Sequence, residues 1–103
     1  MTTEFLLLMH GATVSPGAPR LSWPVYLARL RALGVLEGGS AIGGGRSYSK
    51  GLWSTVISDQ ITGYLKVRAE NLEAAHELLA GNPVFEAGGT VEIRELPRDD
   101  GGE

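Results

Sequence analysis

His10 stands where an apolar run, Phe5 to Met9, gives way to Gly11. An imidazole changes charge near neutral pH, so at a strand end beside a glycine loop it can carry a proton as general acid or base. The alternative is a rim histidine bonded to a loop carbonyl. A second cluster is Arg46, Tyr48 and Lys50 in the run GGGRSYSKG. Flexible glycines present bare amides, and the two cations could gather a small anion there. The spacing lacks the Gly-Lys-Ser/Thr of a phosphate-binding loop, so a solvated hairpin is the other reading. Tyr64, Lys66, Arg68, Glu92 and Arg94 fall on the polar faces of two alternating segments. They could line a polar cleft or pair across strands, Arg68 with Glu92. Trp53 could border the same cleft, although an aromatic in a strand is usually core. His76 sits at the edge of an apolar helical stripe. Two isolated histidines and no cysteine supply no spacing for a protein-held metal, and nothing calls for a cofactor.

The elements that must position these residues are legible from hydropathy. Glu4 to His10 reads as a strand with Phe5, Leu7 and Met9 on one face and Leu6 and Leu8 on the other. Gly11 to Arg20 is a loop. Ser22 can cap a helix whose stripe is Trp23, Tyr26, Leu27, Leu30 and Leu33, and Gly34 stops it. Val35 to Ile42 is a strand interrupted by glycine, Gly43 to Gly51 a loop too flexible for regular structure, and Leu52 to Ser58 a strand with Trp53, Thr55 and Ile57 on one face. Tyr64 to Ala69 alternates with a period of two. Asn71 can cap a second helix with a stripe of Leu72, Ala75 and Leu79, Gly81 ends it, and Pro83 bars its resumption. Gly88-Gly89 is a turn before a strand holding Val91 and Ile93.

The stretch Gly63 to Leu96 resembles the C-terminal half of the YCII-related family, whose members often carry a DGPF motif. The pieces that carry the resemblance are Gly63-Tyr64, Leu72-Glu73-Ala74-Ala75, Pro83 to Gly89 with Glu86 and the Gly88-Gly89 pair, and Val91-Glu92-Ile93-Arg94. Weaker echoes lie in Phe5 to Gly11 and Gly34 to Gly39. The resemblance implies an α+β fold: a ferredoxin-like βαββαβ sandwich, here with an extra β-hairpin, that pairs into a dimeric α+β barrel. It also implies a histidine–aspartate acid–base pair near the cleft, which would fall on His10 and Asp59. Asp59 can equally be a turn residue capping its own backbone. The chain continues Gln60-Ile61-Thr62-Gly63, so the Gly-Pro-Phe of the motif is missing.

Length and charge set the remaining bounds. With 103 residues the chain makes one domain, expected over 1–97, with an acidic tail expected to be disordered at 98–103. A net charge of −3 argues against a nucleic-acid binder, as does the lack of an aromatic RNA-binding run. Phe5 to Met9 is too short to span a membrane, and no signal segment is evident, so a cytoplasmic protein is expected. Two helices can cover one face of a four-stranded sheet, whereas the first strand is apolar on both. A second copy stacked sheet to sheet would cover the other, which predicts a homodimer. Two functions remain open. One is a non-catalytic ligand-binding or regulatory module taking a small anionic ligand in a cleft bounded by His10, Arg46, Tyr48, Lys50, Tyr64 and Lys66. The other is a small acid–base enzyme using His10 with Asp59.

Overall fold

The computed structural model describes residues 2–11, 14, 17, 21–54 and 57–97, and only the backbone over Leu52–Ser54. The expected tail at 98–103 and Thr55 of the expected Leu52–Ser58 strand lie outside the described residues, as does much of the first loop. In chain order the elements are β1 (Thr3–His10), α1 (Trp23–Ala32), β2 (Leu36–Ala41), β3 (Ser47–Ser49), β4 (Leu52–Ser54), β5 (Gly63–Ala69), α2 (Leu72–Glu77), α3 (Pro83–Glu86) and β6 (Thr90–Leu96). The fold is α+β.

Four strands form one antiparallel sheet in the order β2-β5-β1-β6, an order compatible with a ferredoxin-like arrangement. Leu7 is central: it registers with Leu65 on one side and Ile93 on the other. Strict alternation makes one sheet face apolar, and Phe5, Leu7, Met9, Leu65, Val67 and Ala69 are all buried there. The helices cover this face, with Tyr26, Leu30, Ala75 and Leu79 completing the core. Caps start the helices as the sequence suggests. Ser22 accepts from the Val25 amide at 3.4 Å, and Asn71 from the Ala74 amide at 2.8 Å. The Tyr26 hydroxyl donates to the Leu78 carbonyl at 2.7 Å, and Arg29 reaches the Ala80 carbonyl, so α1 is tied to the end of α2.

Four local expectations are corrected. Leu72 and Leu33 are exposed rather than in their stripes. Each sits at a helix terminus, Leu72 as first residue of α2 and Leu33 as the C-cap of α1, where the helical face no longer lies on the sheet. Pro83 does not end helical structure but begins α3. Buried Asn82 accepts from the Val84 and Phe85 amides at 3.0 and 3.1 Å, and proline fits a first turn whose amide would be unpaired anyway. The loop Gly43–Gly51 is partly regular, because Ser47–Ser49 pairs with Leu52–Ser54 around Lys50-Gly51. Gly51 has a φ of +80° while Lys50 does not have a positive φ, so the left-handed residue sits at the second central position of the turn, where glycine is favoured. Consequently β2 pairs with β5, and β3–β4 is a separate two-stranded sheet.

Candidate functional site

The face of the sheet away from the helices is built in rungs. Leu8 of β1 lies between Tyr64 of β5 and Glu92 of β6, Leu6 lies between Lys66 and Arg94, and Glu4 lies between Arg68 and Leu96. His10 registers with Thr90 at the end of the row. Side chains two apart on a strand share a face, so this surface combines an apolar centre line with charged flanks. Leu6, Leu8, Tyr64 and Leu96 are only half-buried, and among the described residues they do not belong to the core packed under the helices.

The strongest polar cluster on this face is at His10. Its Nε2 is 3.2 Å from Glu92 Oε1, while Arg94 Nη1 donates to Glu92 Oε2 at 3.0 Å. An ionised carboxylate only accepts, so Nε2 carries the proton in this pair. Hydrogen bonds from Arg94 and then from His10 hold the Glu92 carboxyl below its ordinary value. The arrangement orients an imidazole by a carboxylate, as acid–base and binding sites both require. Lys66 sits farther along the face, 3.4 Å from Glu4.

The expected Arg68–Glu92 pair does not form. Strand β1 lies between β5 and β6, so Arg68 pairs with Glu37 at 2.6 Å and donates to the Gly34 carbonyl at 2.9 Å. Asp59 stands on an exposed turn, and the carboxylate set beside His10 is Glu92. The turn approaches the end of β1 through Thr62, whose amide donates to the Met9 carbonyl and whose hydroxyl accepts from the Gly11 amide. Arg46, Tyr48 and Lys50 lie in a fully exposed segment, 37–51. Tyr64 and Lys66 are on the open face as parity requires. His76 is exposed and meets the Phe85 ring edge-on at 6.5 Å.

Glu92 is the site residue that sequence reasoning assigned to the wrong partner. The signal was available: Val91 and Ile93 point inward, so Glu92 shares a face with His10, and a β1–β6 pairing makes them neighbours. A cavity of about 480 Å³ lies elsewhere, between α1 and strands β2 and β5. Among the anticipated binding residues Tyr64 contributes to it, while His10, Arg46, Tyr48, Lys50 and Lys66 do not. Among the described residues no cluster of three or more His, Cys, Asp or Glu could hold a metal ion. No helix among them is long and apolar enough to cross a membrane. No known family model matches the sequence, and no curated protein matches it significantly.

Proposed function

We propose that the chain is a homodimeric ligand-binding or regulatory module of the YCII-like kind. In this reading a ferredoxin-like βαββαβ domain with an extra hairpin pairs through its open sheet face into a dimeric α+β barrel. A small anionic molecule binds in the cleft beside His10, Lys66 and Arg94. The observation that carries the reading is the one-sided helix layer, which leaves Leu6, Leu8 and Leu96 half-buried on a face fringed with charge. Covering a large apolar side chain contributes roughly 1.5–3 kcal/mol. Three such residues from each of two copies therefore supply a real driving force for stacking. Opposite charges on each copy, Glu4 and Glu92 against Lys66 and Arg94, suit an isologous contact in which each patch meets its own image.

Sedimentation at micromolar concentration should give about twice the 10.9 kDa chain mass, and Leu8→Lys should give the single mass while keeping a cooperative melt. A folded wild-type monomer would defeat the dimer. For the cleft, small anions should raise the melting temperature of the wild type more than that of His10→Ala or Lys66→Ala. An equal shift in all three proteins would place the anion elsewhere.

The second reading, an acid–base enzyme, is favoured by one feature: the imidazole of His10 held by a carboxylate. In it His10 moves the proton and Glu92 orients the ring, with Asp59 as the further acidic group on the adjoining turn.

A further inference from the structure

The cavity under α1 has no part in the open-face reading, and its shape follows from β2. That strand reads Leu36-Glu37-Gly38-Gly39-Ser40-Ala41, so it offers little side-chain volume beneath the helix. At Gly39 the bareness is enforced, since a Cβ there would stand 2.6 Å from the Tyr64 carbonyl oxygen and 2.5 Å from Leu65 Cδ2. The result is a gap of about 480 Å³ with Met9 and Leu65 among its lining, and Trp23 and Leu27 on the side of α1. An unfilled gap among large apolar groups forfeits packing energy, and this one has the size of a small-molecule site. It reaches the surface at Arg31, Ser40 and Ala41, all exposed.

Its polar equipment is unequal. The Ser40 hydroxyl donates to the Ala41 carbonyl at 2.8 Å, and the Thr62 hydroxyl accepts from the Gly11 amide at 3.1 Å. Arg31 is different. The cations Lys66, Arg68 and Arg94 are in ion pairs, and Arg29 donates to the Ala80 carbonyl. Among the described residues outside the 37–51 segment, Arg31 is the one cation whose side chain makes neither a hydrogen bond nor an ion pair. A guanidinium presents a planar fork that matches a carboxylate at two points.

We infer that this cavity is a binding site for a flat, largely apolar carboxylic acid. Its ring system lies between α1 and the glycine strand, and its carboxylate meets Arg31 at the mouth. The flatness follows from the gap between a helix and a side-chain-poor strand, and the charge from the unpaired guanidinium.

Trp23 reports occupancy directly. The chain has two tryptophans, so Trp53→Phe leaves Trp23 as the single emitter. In that background 2-naphthoate should change the emission saturably. Arg31→Gln, at an exposed position, should weaken 2-naphthoate by about tenfold or more while leaving neutral 2-naphthalenemethanol unchanged. Ala41→Phe, also exposed, should fill the mouth and abolish binding of both probes. His10→Ala and Lys66→Ala should leave both unaffected, which separates this site from the open face. The inference is overturned by any of three results: no saturable change with either probe, naphthoate affinity indifferent to Arg31→Gln and Ala41→Phe, or loss of naphthoate binding on His10→Ala.

Discussion

Glu92 is the residue on which the open-face cluster turns, because it accepts from both His10 and Arg94. Its carboxyl is held below the ordinary value of 4.5, first by Arg94 and then by His10. A carboxyl whose folded pKa is depressed contributes stability that is present above its unfolded pKa. That contribution is lost as pH falls through the folded pKa. Glu92→Gln should therefore flatten the fall in melting temperature between about pH 5 and 3, with little change near neutrality. An acid limb as steep as that of the wild type would show that the carboxylate contributes nothing to the folded state. The side chain is 39% exposed, so the effect should be small and should shrink further in high salt.

At the scale of elements, β2 is the unusual one. Its two glycines differ in what surrounds them. A Cβ on Gly38 would meet no atom within 4 Å, whereas one on Gly39 would strike the Tyr64 carbonyl and Leu65. Neither has the positive φ that reserves a position for glycine. Gly38→Ala should thus be neutral or stabilising by up to roughly 1 kcal/mol, through the entropy of the unfolded chain. Gly39→Ala should destabilise by roughly 1–3 kcal/mol as an overpacked contact with backbone. Denaturant melts of the two variants check the order, and equal costs would mean that β2 does not press on β5 as described. The same element explains why the partner of β2 is not legible in the sequence. With glycine at two of six positions, β2 carries almost no hydropathy signal of its own, and its partner is chosen by the tertiary fit to β5.

At the scale of the molecule, one sheet with helices on a single side has one finished face and one unfinished. If a second copy finishes it, stability is linked to concentration by mass action. The melting temperature should rise as protein concentration is raised from the low micromolar range, and Leu8→Lys should abolish that dependence. A wild-type melt independent of concentration, measured where sedimentation gives the single mass, would make the open face a solvent surface.

Alternation in β1, β5 and β6 and the caps at Ser22 and Asn71 were determined by the sequence alone, because they depend on neighbours a few residues away. The inward set Phe5, Leu7, Met9, Leu65 and Val67 follows from parity and is the core the structure buries. The two-face argument about β1 is of the same local kind. Tertiary structure decided everything that depends on which strands adjoin. Parity puts His10, Glu92, Arg68 and Lys66 on one face, but β1 lies between β5 and β6, so Glu92 meets His10 while Arg68 turns to Glu37. The cavity was equally invisible in the sequence. It is a space left between α1 and a side-chain-poor strand brought together across the chain, and no local pattern encodes a volume that neighbouring residues fail to fill.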